Sequence, residues 1–437
     1  MIIQAPKGTK DILPQEIYKW QYIEKVLNQL CSEFKFSEIR LPVFEHTELF
    51  QRGVGDTTDI VQKEMYTFND KGGRSITLRP EGTAGVVRSY IQNGMASLPQ
   101  PVKLYYNITA YRYENVQKGR YREFNQFGVE VFGSPEASVD VEIISMINLL
   151  FERLCLKNIR LSINSIGCPV CREEYNKNLK DFLEKRTDDL CDDCISRMHR
   201  NPLRVLDCKS RDCIDAAKGA PVIVDNLCAD CSEHFTRLKE GLTNLGIQYS
   251  VDNRIVRGLD YYTRTVFEFV SENVGAQKTI CGGGRYDGLV EECGGNSTPA
   301  VGFALGMERL IMELESQEVQ IPQPKGLDLF IAAVGNNADM FAQKLVYKLR
   351  ESGISAEKDH MSRSLKAQMK YSDKQNAAYS IVIGDDEIST NKAVLRNMIT
   401  GEEKDVSLDS LIERLKKSKA CPTQIKEEIK WENPSTK

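Results

Sequence analysis

The sequence predicts an α+β chain: an antiparallel β-sheet core flanked by helices, interrupted by a helical cysteine-rich insertion and followed by a C-terminal α/β domain. Three observations predict it. Strand patterns at residues 64–68, 75–78, 102–111 and 122–132 follow one another with few crossover helices between them, which favours antiparallel pairing. Eight of the 13 cysteines fall between residues 168 and 231. From residue 326 onward, short apolar strands alternate with helical patterns, the signature of a small parallel or mixed sheet covered by helices.

Each element has a local reason. Residues 15–34 place Ile17, Trp20, Ile23, Val26, Leu27 and Leu30 near a helical period, and RLPVFE at 40–45 reads as a strand. GTAGVVRSYIQNG at 82–94 reads as a helix closed by Asn93 and Gly94, and residues 138–156 as a long amphipathic helix. The stretch 166–235 is an insertion, because strand patterns resume at 249–256, 263–270 and 278–281. VGFALGMERLIMEL, at 301–314, is a strand turning into a helix, and the proline- and glycine-rich segment 321–326 is a linker. The expected boundaries are 1–325 for the first domain (core 1–165 and 236–325), 166–235 for the insertion, 326–420 for the last domain and 421–437 for a flexible tail.

A length of 437 residues suits roughly three domains at about 150 residues each. The 58 basic and 62 acidic residues leave a net charge of −4, so no global positive field holds nucleic acid, and such contacts must come from local patches. A secretory leader pattern and membrane-length apolar runs are both absent, which predicts a cytoplasmic protein. In that compartment the pairs CPVC, CDDC and CADC suit structural Zn²⁺ better than disulfides, the alternative being reduced thiols. CDDC with CADC makes one complete set, Cys191, Cys194, Cys228 and Cys231; CPVC with Cys208 and Cys213 would make a second.

Several segments carry ligand-binding chemistry. TLRPEGTAG puts Glu81 and Thr83 just after a strand, where they suit an ammonium group or, alternatively, the start of a helix. YRYENVQKGRYREFNQFGVEVFG sets Arg112, Glu114, Lys118, Arg120 and Arg122 on a hairpin, and guanidinium groups there suit a polyphosphate. Gln126 and Glu130 lie four apart on its second strand, on the face shared with Phe124 and Gly128, and suggest the floor of a pocket. RIVRGLDYYTRTVFEF adds Arg257, Asp260, Tyr261 and Tyr262, CGGGRYDGL adds three glycines with Arg285 and Tyr286, and Arg309 begins a helix.

Together these segments resemble the class II aminoacyl-tRNA synthetases, and among them the histidyl-tRNA synthetases. RLPVFE is similar to the family's first motif, YRYENVQKGRYREF to its second and GFALGMERL to its third; LDYYTRTVFEF and CGGGRYDGL are similar to the two histidine-specific signatures. The resemblance implies a roster of roles. Arg112 would contact the ATP α-phosphate, Glu114 would lie near the adenine, and Arg309 would hold the γ-phosphate. Glu81, Thr83 and Gln126 would receive the substrate α-amino group, Glu130 and Tyr262, with Tyr261 beside them, would address the imidazole, and Arg257 would lie between the histidine carboxylate and the α-phosphate. It also implies ATP with Mg²⁺, tRNA(His) as partner, a homodimer built around Pro42, and an anticodon-binding last domain. Asn115 and Val116 depart from the second motif, where the family has arginine and proline after the glutamate.

Two other readings compete. A non-catalytic relative, the regulatory subunit of ATP phosphoribosyltransferase in histidine biosynthesis, would keep the fold; Arg112, Arg257, Arg309 and the last domain, all present here, speak against it. A zinc-dependent nucleic-acid-binding module would explain the cysteines but not the dispersed arginines.

Overall fold

The computed structural model describes residues 2–55, 58–208, 210–256, 259–273 and 279–420, with the backbone alone for 418–420. Arg257 and the tail 421–437 lie outside the described residues. Contacts divide the chain into two units, Met1–Pro322 and Gln323–Lys437.

The first unit is organised by an eight-stranded sheet in the order Ser37–Glu38, Val102–Tyr111, Glu123–Phe132, Ala300–Gly306, Thr279–Arg285, Thr263–Val270, Arg160–Ser165, Tyr249–Val251. Its five inner pairings are antiparallel, and only the two short edge strands run parallel to their neighbours. The strand Glu123–Phe132 shows why the sheet has two different faces. Phe127, Val129 and Val131 point into a core shared with the helices Ile17–Glu33, Ala137–Arg153 and Met307–Ser316. The alternate residues Phe124, Gln126 and Glu130 line a cavity on the other face, as the period-two spacing requires.

The glycine triplet Gly282–Gly284 forms the middle of the strand Thr279–Arg285, which runs past the expected end at 281. A Cβ on Gly283 would come within 2.2 Å of the Gly302 carbonyl oxygen, so glycine there lets neighbouring strands close up. Of the expected 64–68 strand only Thr67 and Phe68 belong to a strand, Thr67–Asn69; it pairs with Ser75–Leu78, which also pairs with Phe44–His46.

The cysteine-rich stretch folds as the helices Pro169–Glu184, Asp192–Arg200 and Arg211–Ala216 around a small core of its own, including Tyr175, Leu179, Leu183, Met198 and Leu203. Its last helix, Ala229–Asn244, runs past residue 235 because it packs against Ala137–Arg153. The second unit is a five-stranded mixed sheet in the order Ala356–Lys358, Leu329–Ala333, Tyr379–Ile383, Lys392–Asn397, Glu403–Ser407, with its own apolar core. Among the described residues no helix is long and apolar enough to cross a membrane.

One buried charge cluster ties the sheet to the long helix. The Arg285 guanidinium, 0% exposed, donates to Asp140 at 2.7 and 2.9 Å and to the Ser134 and Glu136 carbonyls at 2.9 and 2.8 Å. Arg285→Met takes the guanidinium from the buried Asp140 carboxylate, leaving it His234 at 3.3 Å, and is expected to cost about 3–5 kcal/mol of stability. Urea unfolding of the full chain measures it, and adding Asp140→Leu should restore much of the loss; a single variant as stable as the parent would contradict the assignment.

Candidate active site

A cavity of about 240 Å³ opens on the sheet face that carries Gln126 and Glu130. The residues that line it come from distant parts of the sequence: Glu81 and Thr83, Arg112 and Glu114, Gln126 and Glu130, Tyr261 and Tyr262, and Arg309. Every described residue to which the resemblance gives a role toward histidine or ATP thus borders one space.

Glu130 lies deepest. It is 1% exposed, and its Oε1 accepts from the Thr83 hydroxyl at 2.8 Å and the Tyr106 hydroxyl at 3.2 Å. Its Oε2 meets the Tyr286 hydroxyl in a short hydrogen bond. A Cβ on Gly302, the residue paired with Glu130 across the sheet, would sit 1.9 Å from Oε2. Burial raises the Glu130 carboxyl to about 8, against the pull of the hydroxyls. Such a group releases its proton when a cation or strong N–H donor arrives.

Glu81 is also buried, and burial raises its carboxyl too. Its two oxygens accept from the backbone N–H groups of Thr83 and Ala84 at 2.7 and 2.8 Å, capping the helix Thr83–Gln92. The capping and the cavity-lining readings of Glu81 therefore both hold. The Gln126 amide oxygen accepts from the Gly82 backbone at 3.1 Å, which aims this part of the floor. The Tyr261 and Tyr262 rings pack 4.7 Å apart at the wall.

Gln126 lies four positions before Glu130, about 13 Å along the strand, and arginines also border the cavity. There the Arg112 guanidinium lies over the Phe124 ring, 5.2 Å from its centroid, and its Nε donates to the Pro80 carbonyl at 2.8 Å. Arg309 donates to the Thr279 carbonyl at 2.9 Å and the Gly119 carbonyl at 3.3 Å, joining the hairpin loop to the sheet. Glu114 is held by Arg120 through two hydrogen bonds, one of them short. The space thus offers carboxyl acceptors for an ammonium group and guanidinium donors for phosphate.

Other expectations need correcting. Arg122 stacks on the Tyr113 ring at 3.7 Å and braces the hairpin instead of lining the cavity. Arg285 turns away to Asp140 while its neighbour Tyr286 enters the cavity, since consecutive residues of an extended chain face opposite ways. Asp260 pairs with Arg204 of the cysteine-rich stretch at 3.0 Å. The set Cys191, Cys194, Cys228 and Cys231 is not brought together. CPVC meets CADC, and CDDC meets Cys208 and Cys213, because Cys168 and Cys228 flank the base of the excursion while Cys191 to Cys213 lie within it.

Sequence reasoning missed Tyr106 and Glu308. Tyr106 pairs in register with Gly128, and an aromatic opposite a strand glycine was the available signal. Glu308 fixes the second hairpin strand by accepting from the Asn125 backbone at 2.8 Å.

The raised Glu130 carboxyl has a thermodynamic consequence. Between its ordinary value of 4.5 and about 8, the folded chain keeps a proton that the unfolded chain has released, so this group makes stability fall as pH rises through that window. The Glu130→Gln chain is expected to lose stability less steeply than the parent from pH 5 to pH 7.5, by urea unfolding without ligands. Parallel pH slopes for the two chains would show that Glu130 titrates normally.

Comparison with known proteins places this cavity in a family. A family profile described as "Histidyl-tRNA synthetase" matches residues 8–310, and one described as "Anticodon binding domain" matches residues 328–418. The "Histidine--tRNA ligase" of Acetivibrio thermocellus is 68% identical over 416 residues, 95% of this chain and 100% of that one. That of Caldanaerobacter subterraneus subsp. tengcongensis is 55% identical over the same shares. The crystal structure of apo S. aureus histidyl-tRNA synthetase superposes with a TM-score of 0.83 at 44% identity, covering 95% of this chain and 100% of that chain. A Bacillus halodurans structure described as an ATP phosphoribosyltransferase regulatory subunit/histidyl-tRNA synthetase shares the fold at 22% identity and a TM-score of 0.63. By its full-length match to histidine–tRNA ligases, this chain belongs to the histidyl-tRNA synthetase family.

Proposed function

We propose that the chain ligates histidine to tRNA(His), first joining histidine to ATP as histidyl-adenylate with release of pyrophosphate and then transferring it to the tRNA 3′ end. The observation that carries this reading is one cavity bordered both by the buried carboxyl groups of Glu81 and Glu130 and by the guanidinium groups of Arg112 and Arg309. Histidine is a zwitterion with a second polar end, and ATP is a polyanion, so a site for both needs acceptors and fixed cations together.

Glu81, Thr83 and Gln126 receive the α-ammonium, and Glu130 with Tyr262 addresses the imidazole nitrogens, Tyr261 forming the wall beside them. An amino acid without those nitrogens would leave the Glu130 cluster without its partner, which is the basis of selection. Arg112 takes the α-phosphate and Arg309 the γ-phosphate. Glu114 lies by the adenine, which requires its pairing with Arg120 to adjust as the nucleotide enters. The family resemblance assigns Arg257 a place between the two reacting groups, where a positive charge would stabilise the charge growing on the α-phosphorus as the carboxylate attacks in line. Glu308, which also borders the cavity, would offer a hard oxygen donor to Mg²⁺, and the ion would share the triphosphate charge.

The second unit takes the tRNA anticodon region. Two copies assemble around RLPVFE, where Val43 and Phe44 are 43% and 56% exposed and offer apolar surface to a partner. The cysteine-rich stretch contributes structural zinc, and the enzyme works in the cytoplasm alongside its tRNA.

Exchange of labelled pyrophosphate into ATP, with each amino acid in turn, tests the reading without tRNA. Histidine alone is expected to support exchange, and Arg112→Ala and Arg257→Ala each to lower it by about 100-fold or more. Folded protein that exchanges with no amino acid would overturn the proposal and favour the regulatory reading.

A further inference from the structure

We propose that the cysteine-rich stretch holds two zinc ions in two nested tetrathiolate sites, one of Cys168, Cys171, Cys228 and Cys231 and one of Cys191, Cys194, Cys208 and Cys213. The proposal stands apart from the reaction and from the cavity. It is carried by the geometry of the sulfur atoms.

Within each group the four Sγ atoms lie within 4.8 Å of one another. Cys168 lies 3.6 Å from Cys171 and 3.9 Å from Cys228, and Cys191 lies 4.0 Å from Cys208. A regular tetrahedron with Zn–S bonds of about 2.3 Å has edges of about 3.8 Å. Disulfide sulfurs would sit about 2.05 Å apart, and all eight are free thiols. Two independent quartets at tetrahedral spacing are not what apolar packing of reduced cysteines requires, because pairs or scattered singles would fill a core equally well.

The surrounding backbone is arranged for thiolates. Cys168, Cys191 and Cys228 each immediately precede a helix, Pro169–Glu184, Asp192–Arg200 and Ala229–Asn244, and the second cysteine of each pair lies in its first turn. Six of the eight sulfurs therefore sit at helix N-termini, where negative charge is favoured. The pairs also donate to each other: the Cys228 N–H meets the Cys171 Sγ at 3.1 Å, and the Cys191 N–H meets the Cys213 Sγ at 3.2 Å. Hydrogen bonds of this kind orient metal ligands. Gly167, at φ 65, makes the bend into the first pair, and a Cβ there would lie 2.6 Å from the Cys171 Cβ.

The two sites would do different work. The first joins the point where the chain leaves the strand Arg160–Ser165 to the point where it returns, closing a 60-residue excursion at its base. The second lies inside that loop and pins the short helix Arg211–Ala216 beside Asp192–Arg200. A segment with so small a core gains its fixed shape from cross-links of this kind. Four sulfur donors select zinc over the hard cation of the triphosphate.

Elemental analysis of the full-length, untagged protein after gel filtration is expected to give two zinc ions per chain, and X-ray absorption at the zinc edge four sulfurs at about 2.3 Å. One zinc or none, nitrogen or oxygen ligands, or visible charge-transfer absorption from iron would overturn the proposal. The partition has its own test: C168S/C228S should keep one zinc, whereas C191S/C228S should keep none. The reverse pattern would restore the pairing of CDDC with CADC. Should a variant fail to fold, alkylation of the parent protein decides. The exposed Cys155 is expected to react at once and the eight site cysteines only after chelation; eight thiols that react without chelation would refute both sites.

Discussion

A carboxylate buried as deeply as Glu130 has to be surrounded by donors, and that requirement organises the catalytic half of the molecule. Its three hydroxyl partners come from the start of one helix, the edge-side strand Val102–Tyr111 and the end of the glycine-rich strand. Tyr106 reaches it only because Gly82 and Gly128 leave room, since a Cβ on either would lie 2.4 Å from the tyrosine ring. Glycine at 302 makes room from the opposite side. The sheet register, the glycine positions and the helix start are therefore mutually dependent, and displacing one leaves a polar group uncompensated in the interior.

The cationic region is built on a different principle. Its arginines lean on backbone carbonyls, Arg112 on Pro80 and Arg309 on Thr279 and Gly119, while Arg112 and Arg120 also pair with Glu114. Burial, with Arg120 and Arg112 close by, lowers the tendency of Arg309 to hold its proton, while Glu114 and Glu308 act the other way. A polyanion in the cavity would add to the charge that faces these arginines.

What the sequence disclosed follows from the range over which its signals act. Gln126 and Glu130 were legible because a strand alternates every second residue, and the same rule separates Tyr286 from Arg285, which proximity to the glycine triplet had grouped together. Tyr106 was invisible because an aromatic residue on a strand looks like core until its glycine partner is known. The CxxC pairs declared themselves locally, at three helix starts, but which pairs meet depends on how a 60-residue excursion closes, and spacing does not encode that. Arg257, expected between the reacting groups, lies outside the described residues.

The pairing of Glu123–Phe132 with Ala300–Gly306 also bears on how the protein is made. A ribosome extends the chain from its N-terminus, so Glu130 emerges well before the strand that carries Gly302 and before Tyr286. Until then the growing chain carries an unfinished sheet with its partner edge exposed while the whole cysteine-rich excursion is synthesised. Such distant pairing makes for slow closure, and it gives the excursion time to fold before the sheet is sealed. The cavity is thus among the last features of the first unit to exist during synthesis.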